Sequence, residues 1–194
     1  MDLIEAHATL AQLRERALTG RDPTCAEETL AYLIETGKRL CPKNILEIGA
    51  AEALTSIALA LHTGAHVTAI ERDAARAARA RENVALFGAD VKLMEGDAGE
   101  ILPLLGGEYE MIFLDGPKVQ YRRYLPHLKR LLKKGGVLFS DDVLLFGWVR
   151  GEPPKKRRML AEHLREYLDL LESDPDFQTE VLELGEGLAV STKR

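Results

Sequence analysis

From residue 44 onward, short apolar runs alternate with longer stretches whose apolar positions recur at helical spacing. The pattern predicts strands at 44–48, 66–70, 91–95, 111–115 and 137–140. Helices are predicted between them at 54–61, 74–86, 98–104 and 120–132. Strictly alternating strands and helices imply a parallel sheet with helices on its faces. Glu152-Pro153-Pro154 then interrupts the rhythm, and a helix runs from the basic stretch Lys155-Lys156-Arg157-Arg158 to about Glu172. Strands at 178–184 and 188–192, joined through Gly185-Glu186-Gly187, close the chain as an antiparallel hairpin. Ahead of the sheet, Leu3, Ile4, Ala6, Leu10, Leu13 and Leu18 mark a helix that stops at Gly20. Arg21-Asp22-Pro23 breaks the pattern. Thr24, with Glu27 or Glu28 behind it, reads as the cap of a second helix that Pro42 ends after Leu40. The fold class is therefore α/β: a mostly parallel sheet of seven strands, helices on both faces, and extra N-terminal helices.

A chain of 194 residues is most simply one domain, with helices in 1–42, a strand-and-helix core in 43–150, and a basic helix with the hairpin in 151–194. Apolar residues make up 46% and charged residues 29%, ordinary values for a globular protein. No apolar run approaches the ~18 residues needed to cross a bilayer, so no membrane partner is expected. The start MDLIEAHATLAQL lacks the basic and apolar blocks of a signal peptide, which makes a cytoplasmic location the expectation. Cys25 and Cys41 fit neither a zinc site nor a disulfide framework. The net charge of −5 argues against a surface built entirely for nucleic acid and leaves room for a local basic patch.

Open α/β sheets bind ligands beyond the carboxyl ends of their strands, so the residues there carry the chemistry. The first strand delivers Glu47 and Gly49, the second Glu71, the third Asp97 and Ala98. An acid about two dozen residues past the first turn is placed to accept hydrogen bonds from ribose hydroxyls; the plain alternative is that Glu71 caps the next helix. The turn Gly49-Ala50-Ala51-Glu52-Ala53-Leu54 has one glycine where a dinucleotide site asks for three. Three acids on one rim suit a nucleoside with a cationic group better than a pyrophosphate. S-adenosylmethionine fits that description, and NAD is the alternative.

The fourth strand delivers Asp115 in LDGPK, and the fifth delivers Asp141 and Asp142 in SDDV. Three close carboxylates repel unless a cation offsets them, and an all-oxygen set suits magnesium or a similar divalent cation. Single aspartates at strand ends otherwise serve as helix caps. Lys118 stands three residues past Asp115, within reach of a substrate oxygen, and is the candidate base; an exposed loop lysine is the alternative.

The pieces LEIGAAEALTS, IERD, GDA, IFLDGPK and SDDV, in this order, resemble the metal-dependent, catechol-type O-methyltransferases that use S-adenosylmethionine. The resemblance covers nearly the whole chain and implies a Rossmann-like methyltransferase sheet. It also implies that Thr55, Ser56, Glu71, Asp97 and Ala98 line the cofactor site with Glu47, Gly49 and Asp115, and that Cys25 lies near the methionine end. Asp115, Asp141 and Asp142 would hold the metal, and Lys118 would act on the acceptor. Two positions depart from the family pattern. Ala53 and Leu54 replace a Gly and an aromatic residue, and Asp142 replaces an Asn.

The C-terminal part, with LLFGWV and PPKKRRM, is similar to bacterial tRNA 5-hydroxyuridine O-methyltransferases. That likeness implies methylation of 5-hydroxyuridine to 5-methoxyuridine at the wobble position, in the anticodon region of tRNA, by a homodimer. In 5-hydroxyuridine the hydroxyl lies beside the C4 carbonyl, so the two oxygens can chelate a cation as a catechol does. Arg150, Lys155, Lys156, Arg157 and Arg158 would then contact RNA phosphates, the alternative being a solvated face. Two other readings stay open: a methyltransferase of small catechol-like phenols, and a non-catalytic RNA-binding protein on the same scaffold.

Overall fold

The computed structural model describes residues 3–20 and 24–194. Seven strands form one sheet in the order β3-β2-β1-β4-β5-β7-β6. They are β1 Asn44–Ile48, β2 His66–Glu71, β3 Val91–Glu95, β4 Tyr109–Leu114, β5 Leu132–Ser140, β6 Phe177–Leu182 and β7 Leu188–Lys193. The first five are parallel, and β7 runs antiparallel to both β5 and β6. Among the described residues, seven α-helices accompany them: α1 Leu3–Gly20, α2 Glu27–Leu40, α3 Leu54–Thr63, α4 Ala74–Phe87, α5 Ala98–Leu104, α6 Tyr121–Leu131 and α7 Arg158–Ser173. Among the described residues no helix is long and apolar enough to cross a membrane.

The period of two along each strand divides the core into two layers. Ile45, Met111, Phe113, Val137 and Phe139 pack with apolar side chains of α1 to α4. Their neighbours Leu46, Ile48, Ile112, Leu114 and Leu138 pack with α5, α6 and α7 on the other face. Both faces of the central strands are therefore covered, which is why their sequences read as nearly continuous apolar runs.

Several boundaries differ from the sequence pattern for identifiable reasons. β5 begins at Leu132, five residues before the predicted start. Its Lys133-Lys134-Gly135-Gly136 portion reads as a turn, but Leu132 pairs with Tyr109 across an irregular register, and Lys133 bonds Glu110. At the first helix, Ala6 and Leu10 are buried as expected, whereas Leu18 is exposed and Ala17 takes the inward position. The side chains of Leu3 and Ile4 and the break at 21–23 lie outside the described residues. Thr24 does not cap α2; Ala26 occupies that position without a side-chain bond, and the Thr24 hydroxyl accepts from Arg14.

The closing hairpin does more than end the sheet. At its tip, Gly185 N–H donates to Glu28 of α2, while the carbonyls of Glu186 and Gly187 accept from Val143, Leu144 and Leu145. A Cβ at position 187 would collide with Leu144. The chain that follows β5 is thus held in place by the last two strands.

β1 carries one buried acid, Glu47, which faces α3 and accepts a very short hydrogen bond from the fully buried Ser56 hydroxyl. Burial pushes its carboxyl up to about 8 against the opposing Ser56 bond, with the charges of Asp115 and Glu71 adding to the rise. Folded protein thus keeps this proton to about pH 8, whereas the unfolded chain ionises near the ordinary 4.5. Stability falls as pH rises through that window, because the unfolded state binds fewer protons there. Glu47→Gln is expected to flatten this dependence, read from denaturant midpoints at pH 5 and pH 8; equal slopes in variant and parent would contradict it. Phe113→Ala, at a fully buried position between β1 and β5, is expected to cost about 3–5 kcal/mol by the same measurement.

Candidate functional site

The sheet order places β1 and β4 side by side, and the crossovers leave in opposite directions from this centre. A cavity of about 300 Å³ opens there, beyond the carboxyl ends of β1 to β4. Its wall includes Gly49, Glu71, Asp97, Ala98, Asp115, Lys118 and Asp142, seven of the residues singled out from the sequence. A smaller recess adjoins it and shares Gly49, Ala51 and Asp115 with it. Cys25, Glu47 and Thr55 line that recess, with Thr24 beside them.

Gly49 makes the turn possible. Its φ is +90°, and a Cβ there would strike the carbonyl of Asp115 at the end of β4. The next residues are also wound tightly, with Ala51 at φ 47° and Ala53 at φ 61°. Ala53 thus adopts, with a side chain, the left-handed conformation that glycine takes without steric cost. The fully buried Ala53 packs with the apolar layer of α1 to α4.

Glu71 is not a helix cap. Its two oxygens accept from Ala51 N–H at 2.8 Å and Asp73 N–H at 2.7 Å, pinning the β1 turn to the end of β2. Asp73 caps α4 instead, accepting from Arg76 N–H at 2.9 Å. Each oxygen of Glu71 retains acceptor capacity at the cavity wall. Asp97 caps α5 through Gly99 N–H at 2.7 Å and pairs with Arg72 at 3.5 Å, and it lines the same cavity. The acid rim read from the sequence therefore has a double use, holding the turns and facing the cavity.

In the recess, the Cys25 thiol lies 3.3 Å from the Thr55 hydroxyl. Burial pushes this thiol up to about 12, which makes it a wall and not a nucleophile. Arg14 of α1 fixes this corner, donating to the Thr24 hydroxyl at 2.9 Å and the Cys25 carbonyl at 2.7 Å. Ser56 lines neither space; its hydroxyl is spent on Glu47.

At the ends of β4 and β5, Leu114 is in register with Ser140, which sets Asp115 beside Asp141. Lys118 lies between carboxylates, 2.8 Å from Asp115 and 3.0 Å from Asp142. Its ammonium also approaches the Tyr121 hydroxyl at 3.0 Å, and that hydroxyl reaches the carbonyls of Leu114 at 3.0 Å and Asp141 at 3.1 Å. Burial alone would lower the Lys118 pKa, but Tyr121, Asp115 and Asp142 outweigh it and hold the ammonium well above its ordinary range. Asp141 is buried behind this group, its carboxylate accepting from Asp142 N–H at 3.0 Å. Burial, then the charges of Asp115 and Asp142, push it up to about 8 despite Lys118.

One ammonium stands between two carboxylates with the Asp141 carboxyl behind them, and an all-oxygen set of this kind matches a hard divalent cation. The donor set fits that group chemically. Among the described residues no three acids, histidines or cysteines stand together in ligand geometry, since Lys118 occupies the space between Asp115 and Asp142. Tyr121 was missed by sequence reasoning, although its place three residues past Lys118 puts it one helical turn away.

The basic residues line neither the cavity nor the recess. Arg150 is paired with Glu183 at 3.3 Å. Lys155, Lys156, Arg157 and Arg158 are exposed at the start of α7, and no ion pair engages them among the described residues.

A family model for O-methyltransferases matches residues 4–194. The catechol O-methyltransferase of Niastella koreensis is 31% identical over 157 residues, covering 76% of this chain and 71% of that protein. A crystal structure of a candidate caffeoyl-CoA O-methyltransferase from Staphylococcus aureus superposes with a TM-score of 0.90 at 30% identity, over 99% of this chain and 97% of its own. The S-adenosylhomocysteine-bound methyltransferase PaMTH1 of Podospora anserina gives 0.85 at 25% identity, over 95% and 87%. With the turn, the acid rim and the strand-end aspartates in their places, this chain belongs to the O-methyltransferase family.

Proposed function

We propose that this protein transfers a methyl group from S-adenosylmethionine to the 5-hydroxyl of 5-hydroxyuridine at the wobble position of tRNA. The observation that carries the reaction class is the strand-end cluster of Asp115, Lys118, Asp141 and Asp142 beside a cavity rimmed by Glu71 and Asp97. The unpaired basic stretch at the start of α7, with the C-terminal likeness, supports an RNA acceptor over a free phenol. The named catechol and caffeoyl-CoA relatives favour the second reading, a small phenolic acceptor.

When bound, S-adenosylmethionine supplies an electrophilic methyl and a divalent cation supplies Lewis acidity at the acceptor oxygen. Glu71 and Asp97 would accept hydrogen bonds from the nucleoside half of the cofactor. Thr55, Cys25 and Thr24 shape the recess for its amino-acid half. Asp115, Asp141 and Asp142 would hold the cation, and Tyr121 fixes the two strand ends from which they project. Lys118 orients the acceptor hydroxyl. Its neighbours Tyr121, Asp115 and Asp142 hold it as an ammonium, a hydrogen-bond donor toward the acceptor oxygen. Correct placement of the two reactants supplies much of the rate.

The test incubates purified protein with S-adenosylmethionine, magnesium and tRNA containing 5-hydroxyuridine, followed by nucleoside mass spectrometry. Conversion to 5-methoxyuridine is expected, with loss of conversion after chelation. Asp141→Ala is expected to lower kcat/KM by about 100-fold or more while cofactor binding is retained. Ready methylation of catechols with tRNA untouched would establish the phenol reading. Tight tRNA binding without transfer would indicate a binding protein, and unchanged activity after chelation would refute the cation's role.

A further inference from the structure

Between α6 and α7 lies a second concavity, of about 370 Å³, lined by Val119, Arg122, Arg123, His163 and Leu170. It stands outside the methyl-transfer cavity, with no lining residue in common but next to it in the chain. Val119 directly follows Lys118, and the Arg123 guanidinium lies over the turn at Gly99 that Asp97 caps.

The charge in this groove is unbalanced. Glu166 pairs with Arg122 and lies 3.9 Å from His163. Arg123 has no hydrogen bond or ion pair among the described residues. Two guanidiniums beside the one paired carboxylate give the groove a net positive lining. Exposed apolar side chains lie along it, with Val119 at 49% and Leu170 at 45% exposure, and Met159 at 77% one turn before His163 on α7.

We infer that this groove binds the phosphate backbone of the RNA acceptor, using Arg122, Arg123 and His163 as phosphate contacts and Val119 and Leu170 as apolar contacts to the sugars. The inference rests on the tRNA reading above and adds to it the path of the strand. From Arg158 to His163 the helix rises about 7.5 Å, so cations continue from the exposed basic stretch into the groove along one element. A strand following that line passes from the start of α7 to His163 and Val119, next to Lys118, with Arg122 and Arg123 further along the groove. Glu166 keeps Arg122 in place without cancelling the groove's charge. Such contacts contribute affinity and register but no base preference.

The experiment measures the affinity of an anticodon stem–loop containing 5-hydroxyuridine, by fluorescence anisotropy at several salt concentrations, for the full chain and for Arg122→Ala/Arg123→Ala. The expected result is at least a ten-fold weaker Kd at low salt. The plot of log K against log salt should become shallower by about 1.4, two lost single-strand phosphate contacts. Affinity for S-adenosylhomocysteine, measured in parallel, checks that the variant is folded. Arg122→Lys/Arg123→Lys is expected to restore most of the RNA affinity. If the parent binds the stem–loop and the alanine variant binds it equally, with the same salt slope, the groove is not the phosphate site. If S-adenosylhomocysteine binding falls with RNA binding and the lysine variant recovers only the former, the proposal is also overturned. Absence of stem–loop binding by the parent would instead remove the tRNA reading itself, and the groove with it.

Discussion

Like charges at the ends of two adjacent parallel strands are the constraint around which this molecule is arranged. The register of β4 on β5 sets Asp115 beside Asp141, and Asp142 follows at once. Buried carboxylates this close cannot all be ionised without a compensating cation. Lys118 supplies part of that compensation, and Tyr121 ties both strand ends through their carbonyls. The cluster is therefore held by the backbone as well as by charge, and it cannot relax without disturbing the centre of the sheet.

Backbone strain gathers around the same place. Ala51 and Ala53 in the turn after β1, and Asp142, Leu145 and Phe146 after β5, all have positive φ without being glycine. Such positions cost of order 1–3 kcal/mol each and persist where the surroundings over-determine them. Here the surroundings are identifiable. Glu71 holds the first turn through Ala51, and the hairpin tip holds the second through Val143, Leu144 and Leu145. The last two strands thus stabilise the loop that carries Asp142, which links the C-terminal hairpin to the site although its own residues line none of it.

Much of this was legible in the sequence because the strand ends carry both the fold and the chemistry. Alternating apolar runs located all seven strands, and the residues just past them included most of the cavity wall. What escaped reading depended on partners distant in sequence. The start of β5 looks like a turn until Glu110 is available to Lys133. Thr24 has the composition of a cap, but Arg14 claims its hydroxyl. Tyr121 is apolar in pattern, and only the meeting of β4 with β5 gives its hydroxyl two carbonyls to bridge. The ammonium of Lys118 between two carboxylates was likewise invisible, because spacing places the residues near one another without saying which atom fills the centre.

In the proposed reaction, Lys118 and a divalent cation compete for one set of carboxylates. Manganese binding, followed by electron paramagnetic resonance on the full chain, tests this most directly. One bound ion is expected in the parent, with weaker binding in Asp141→Asn and equal or tighter binding in Lys118→Met, where the competing ammonium is gone. Failure of the parent to bind manganese, or loss of binding in Lys118→Met with the fold intact, would contradict the account.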